Sequence, residues 1–123
     1  SRQAREFFQS AVQEKQIGSE VSYYQGLAYK KLGRVEDANQ MFDELIAYSQ
    51  QLLKKTKGLD FFAKFGERQS EAKRRAQAHY LLGLGYLGKG RKREAQAEFE
   101  KAIRLNPNHF KARKQFLRHI QRD

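Results

Sequence analysis

The chain has 123 residues and carries 25 Lys/Arg against 14 Asp/Glu, a net charge of +11, which suits one domain around a single core. It has no Cys, so disulfides and thiolate metal sites are excluded, and no apolar run approaches the roughly 20 residues of a membrane span. Three Val and four Ile stand against 13 Ala and 12 Leu, with a single Pro, a balance that favours helix over sheet.

The charge is unevenly placed. Residues 1–50 hold 6 Lys/Arg and 7 Asp/Glu, whereas residues 51–123 hold 19 and 7. The whole excess therefore lies in the second half. The chain opens at Ser1 rather than Met, so an upstream segment is expected.

Taken in order, residues 2–17 place Ala4, Phe7, Phe8, Ala11 and Val12 at helical spacing. Ala38 and Phe42 follow Ala4 and Phe8 by 34 residues, which makes residues 2–17 the second half of a repeat. Residues 19–50 form the next unit, with helices expected over Ser19–Leu32 and from Arg34 to Lys57 because no stop signal follows Gln50. Gly26, Tyr29, Gly33, Ala38 and Phe42 recur 57 residues later as Gly83, Tyr86, Gly90, Ala95 and Phe99. Between the two units, residues 51–75 form an insertion, in which Asp60 caps a short Phe-rich helix and Gly66 ends it. Leu59, Phe61, Phe62 and Phe65 then make a plug against the neighbouring helices, or else a contact surface. From Glu67 the chain lacks breakers, and the first helix of the second unit is expected to run to Leu87.

Residues 76–107, AQAHYLLGLGYLGKGRKREAQAEFEKAIRLNP, form the second full unit. Gly90 can adopt positive φ to end the first helix, and Pro107 cannot continue the second. Two antiparallel helices approach closely only where facing residues are small, so Gly83 is expected to meet Ala95, with Leu82, Tyr86 and Phe99 around them. Residues 108–123 supply a last helix, His109–Arg122, capped by Asn108. Its Phe110, Leu117 and Ile120 are expected to cover the open end of the stack.

Leu82, Gly83, Tyr86, Ala95, Phe99, Ala102 and Pro107 fall on positions 7, 8, 11, 20, 24, 27 and 32 of a unit counted from Ala76. In this the chain resembles the tetratricopeptide repeat family, whose unit is a helix–turn–helix of about 34 residues. His79 stands where the family usually has Trp. The resemblance implies an all-α fold, a helical-hairpin α-solenoid of about two and a half repeats plus a C-terminal capping helix. DFFAKFGE followed by AHYLLGLGYLGKG also resembles the C-terminal repeat segments of large bacterial proteins.

Several constellations could carry chemistry. GLGYLG at residues 83–88 reads as G-x-G-x-x-G, but no Val/Ile-rich strand precedes it and no acidic residue stands at Ile103–Pro107, where one would hold a ribose. Helix packing explains it better. His79, His109 and His119 lack partners at metal-ligand spacing, and no nucleophile–base pair is recognisable. No cofactor, no metal and no enzymatic activity are expected. Glu36–Asp37 and Asp43–Glu44 suit a helix start.

The resemblance implies a concave groove lined by the first helices. The family's contact positions fall on Glu20, Tyr23, Leu27, Lys30 and Lys31, then on Gln77, Tyr80, Leu84, Leu87 and Gly88. Tyr23 and Tyr80 would either anchor a peptide or pack in the seam between helices. Tyr23, Leu27, Tyr80 and Leu84 replace the Lys/Asn/Arg clamp that some members use for chaperone tails. The expected function is a non-catalytic protein–protein interaction or scaffold module within a larger protein, binding a protein or peptide. The alternative is an anion or nucleic-acid binder using Lys54, Lys55, Lys57, Lys64, Arg68, Lys73, Arg74 and Arg75. A weak homodimer through Phe7, Phe8 and Val12, a cytoplasmic location and no membrane contact complete the expectations.

Overall fold

A computed structural model describes residues 18–56 and 65–120, without the side chains of residue 56 and residues 65–68. The half repeat at 2–17 and the short helix expected around Phe61 and Phe62 lie outside the described residues. Among the described residues five helices follow in order: α1 (Glu20–Lys31), α2 (Val35–Thr56), α3 (Phe65–Gly88), α4 (Lys92–Leu105) and α5 (Phe110–Arg118). They stack as successive antiparallel hairpins, α1 with α2 and α3 with α4, and α3 also packs on α2. Among the described residues the architecture is the all-α repeat array that the resemblance implied.

The turns within the two hairpins, α1–α2 and α3–α4, are built identically. Gly33 has φ 77° and Gly90 φ 80°, left-handed values that glycine adopts without steric cost. The Arg34 N–H donates to the Tyr29 carbonyl and the Arg91 N–H to that of Tyr86, each at 2.9 Å, the 6→1 bond of a glycine-terminated helix. Each arginine also lies over the tyrosine ring it follows, at 4.9 Å for Arg34 on Tyr29 and 5.2 Å for Arg91 on Tyr86. Each then pairs with an acidic residue in the next helix's first turn, Arg34 with Asp37 at 2.6 Å and Arg91 with Glu94 at 2.5 Å.

The core is a row of rings set against glycines. A Cβ on Gly83 would stand 2.5 Å from the Phe99 ring, so Phe99 occupies the space the glycine leaves. What lies nearest Gly83 is thus the Phe99 ring expected around its contact with Ala95. Gly26 faces Phe42 in the same way, and Gly88 of α3 also faces Phe42. Gly85 faces Ile46, 2.6 Å from where its Cβ would be. All three glycines of GLGYLG are thus helical and serve packing: Gly83 turns towards α4, Gly85 and Gly88 towards α2. Phe42 and Phe99 are fully buried, and burial of each contributes about 1.5–3 kcal/mol.

Three local expectations need correction. Gly66 does not end a helix; it lies in the first turn of α3, which begins at Phe65. Much of the insertion is therefore absorbed by lengthening α2 and α3. Asn108 does not cap the last helix. Its own N–H donates to Asn106 Oδ1, and His109 is the cap, its Nδ1 accepting from the Ala112 N–H at 3.1 Å. Finally, α5 buries Ala112 and Gln115 and half-buries Phe116, whereas its Phe110 and Leu117, and Ile120 just beyond its end, stand exposed.

Candidate functional site

Helices α1, α3 and α5 frame a cleft of about 190 Å³ lined by Glu20, Tyr24, Tyr80, Lys111, Lys114, Gln115 and Arg118. Glu20 is its central carboxylate. The Tyr80 hydroxyl donates to Glu20 Oε2 at 2.9 Å, and Lys111 pairs with Glu20 Oε1. Burial alone would raise the Glu20 carboxyl, but the hydrogen bonds from Lys111 and Tyr80 outweigh it and hold it below its usual range. The same geometry acts oppositely on the phenol: burial, and then the bond to Glu20, push Tyr80 up. His109 packs beside Tyr80. Its ring lies 4.7 Å from that of Tyr80, and its Nε2 hydrogen-bonds Gln77 Oε1 at 2.8 Å. Burial and the Lys111 charge keep His109 below the usual histidine value.

Cations line the α5 side. Among the described residues no ion pair holds Lys114 or Arg118. Gln115 is 7% exposed and its buried Oε1 has no hydrogen-bond partner. Tyr24 is 53% exposed and offers the one large open aromatic face of the cleft.

The residues expected in the groove divide. Glu20 and Tyr80 line the cleft, and Gln77 adjoins it through His109. Tyr23 is buried against Phe42, with ring centroids 6.1 Å apart. Leu84 is fully buried in the core, so it packs the array and has no surface to offer a partner. Leu27 and Leu87 are half-buried against the same core. Lys30 reaches across to donate to the Gly88 carbonyl at 3.2 Å, tying the end of α1 to the end of α3, and Lys31 is exposed.

The basic patch is only partly described. Lys54 and Lys55 are exposed on the last turns of α2, and Lys73 and Arg74 on α3. Arg74 pairs with the buried Glu71 at 3.2 Å, and Arg75 is half-buried, donating to the Leu53 carbonyl at 3.4 Å. Lys57, Lys64 and the Arg68 side chain lie outside the described residues.

Sequence reasoning missed Lys111, Lys114 and Arg118. The signal was present: they follow Gln77, Tyr80 and Leu84 by one repeat length of 34. Treating the last helix purely as a cap hid the correspondence. His79 was expected to be a packing residue, and it is buried, but it also hydrogen-bonds Glu98 at 2.7 Å. Among the described residues no three His, Asp or Glu side chains gather to hold a metal ion, and no helix is long and apolar enough to cross a membrane.

Repeated helical hairpins stacked on one another define a helical-repeat solenoid. Two tetratricopeptide repeat family models match, over residues 20–48 and 76–109, and the chain belongs to the tetratricopeptide repeat family. Such repeats generally mediate protein–protein interaction or scaffolding and are typically non-catalytic. No curated protein and no solved structure matches the chain.

Proposed function

We propose that the chain is a non-catalytic docking module whose concave cleft grips an acidic segment of a partner protein, in the cytoplasm and as part of a scaffold. The observation that carries this is the pair Lys114 and Arg118, cations without a carboxylate partner among the described residues, beside the exposed ring of Tyr24. A carboxylate entering the cleft would gain charge-assisted hydrogen bonds there, and an apolar neighbour would lie on Tyr24. Glu20 sets a limit on this. It already neutralises Lys111 and repels a second carboxylate placed near it, so the ligand's acidic group belongs on the Lys114–Arg118 side.

The test is fluorescence anisotropy with labelled acidic, neutral and basic peptides at near-physiological salt. The acidic peptide binds best, and Lys114→Glu with Arg118→Glu weakens it at least tenfold while the neutral peptide is little affected. Single- and double-stranded oligonucleotides serve as competitors. Submicromolar oligonucleotide binding that is lost in Lys73→Ala/Arg74→Ala/Arg75→Ala and falls steeply with salt would replace this reading with nucleic-acid binding.

A further inference from the structure

Helix α5 is anchored at its start by an imidazole. The Ala112 N–H donates to His109 Nδ1 at 3.1 Å, the N-cap bond that a Ser, Thr, Asp or Asn oxygen makes in most capped helices. Accepting that bond requires Nδ1 to be bare, so the proton of the neutral ring sits on Nε2, which donates to Gln77 Oε1 at 2.8 Å. One ring therefore caps α5 and ties it to α3, and it does both in a single protonation state. By contrast, α1 is capped by the Ser19 hydroxyl. Helices α1, α2 and α4 each carry an acidic residue in the first turn, facing the positive end of the helix, and α5 carries none. It is also lightly held: of its 9 residues it buries Ala112 and Gln115.

We propose that His109 is a positioning residue for the cleft and an acid-sensitive release: a proton on Nδ1 removes the cap, places a cation at the positive end of the helix, and loosens α5, which carries Lys111, Lys114 and Arg118. The groups facing the ring do not prevent this. Glu20 of α1 attracts the proton and Lys111 of α5 repels it, and these two are paired with each other. Tyr80 of α3 lies against the ring as a neutral phenol. Burial then decides, and keeps His109 below 6.5. The folded chain binds this proton less readily than the unfolded one, so the stability that His109 confers is complete above about pH 6.5 and is lost as the pH falls below it. Glu20 stays ionised there, because its carboxyl is held below 4.5, so its pair with Lys111 is not the sensor. The bearing of this release on docking rests on the cleft taking an acidic segment; the release itself does not.

Amide hydrogen exchange at about pH 7.5 and about pH 5.5 brackets the histidine range. Protection of the α5 amides, corrected for intrinsic exchange, falls about fivefold at the lower pH, the usual effect of losing an N-cap. Nitrogen chemical shifts of the His109 ring report a bare Nδ1 and a protonated Nε2 at the higher pH. His109→Asn supplies a cap that does not titrate and abolishes the acid response. His109→Ala has no cap to lose, and its α5 protection is low at both pH values. His119→Gln, which removes the titratable ring at the other end of α5, leaves the response intact. An acidic peptide that binds at neither pH sinks the docking reading, while exchange in α5 still decides this one. Protection that is unchanged while the His109 ring titrates, a ring protonated on Nδ1 at the higher pH, or an acid response that survives His109→Asn would overturn the proposal.

Discussion

Shifted by 57 residues, the hairpin α1–α2 falls on α3–α4 down to individual contacts. Tyr23 meets Phe42 and Tyr80 meets Phe99 with ring centroids 6.1 Å apart in both cases, tilted by 47° and 43°. Next to this shared geometry one pair of positions differs in kind. The second repeat buries His79 and Glu98, with Nδ1 and Oε1 2.7 Å apart; the first buries Ser22 and Met41 at the same places. The glycine–phenylalanine contact therefore fixes how closely the helices approach. The neighbouring positions only have to fill volume and satisfy whatever polar groups they bring.

The largest effect comes from breaking what the repeats share. Gly83→Leu drives a side chain into the Phe99 ring, and Gly26→Leu does the same at Phe42. Overpacking of this kind costs about 3 kcal/mol. Each variant should melt far below the parent or fail to fold, and a midpoint left unchanged in either would remove the proposed basis of the seam.

This seam shows what was legible in the sequence. The helices, their order and their turns followed from the recurrence of Gly, Tyr, Ala and Phe at one interval, because each of those residues has a local backbone or packing reason. Gly33 and Gly90 could be read outright, since positive φ is a property of the residue. Which of its expected neighbours comes nearest Gly83 could not, because opposition across a helix pair depends on rotation and offset that spacing along one chain leaves open. The cleft was half legible for the same reason. The family's contact positions, carried over by resemblance, pointed to Glu20 and Tyr80, while burial removed Leu84 and Tyr23 from contact with any partner. The cations of α5 escaped notice because a terminal helix was read for its apolar residues alone.

Next in size is the position where the repeats differ. His79→Ser leaves Glu98 buried with Lys101 as its remaining partner, at 3.1 Å, and should destabilise by about 1–3 kcal/mol. Adding Glu98→Met copies the first repeat and should recover most of that loss, a coupling visible in a double-mutant cycle. The pair also has a pH signature. Burial would raise the Glu98 carboxyl, but the bonds from His79 and Lys101 outweigh it and hold the group below its usual 4.5. The stabilisation is therefore complete above about pH 4.5 and is lost as pH falls below it. Melting midpoints followed through acid should fall less steeply in the His79→Ser/Glu98→Met variant. An identical acid profile would mean that other carboxylates set the acid limit.

Substitutions in the turns should affect both repeats equally. Gly33→Ala and Gly90→Ala introduce no clash, since nothing lies within 4 Å of either Cβ position. The cost is then conformational, about 1 kcal/mol for holding Ala in the left-handed region. Two equal shifts in melting midpoint are expected. A large shift at one site alone would show that its turn makes a further contact.

The smallest effect sharpens the same comparison at the surface. Arg34 and Arg91 each combine a place over a tyrosine ring with an ion pair one helical turn onward. Exposed contacts of these kinds are worth about 0.5–1 kcal/mol for the ring and about 0.3–0.5 kcal/mol for the pair. The two sites are not equally exposed: the Arg34 side chain is 28% accessible and that of Arg91 54%. Screening by solvent is weaker at the more enclosed site, so Arg34→Ala should cost slightly more than Arg91→Ala, with both under about 1.5 kcal/mol. Raising the salt to about 1 M, where the screening length is about 3 Å, should shrink the ion-pair share at Arg91 more than at Arg34. Chemical denaturation with urea, which leaves ionic strength unchanged, gives both values at low and high salt. Equal costs with equal salt dependence would show that the arginines act through ring contact alone, and that the difference in exposure between the two turns has no energetic consequence.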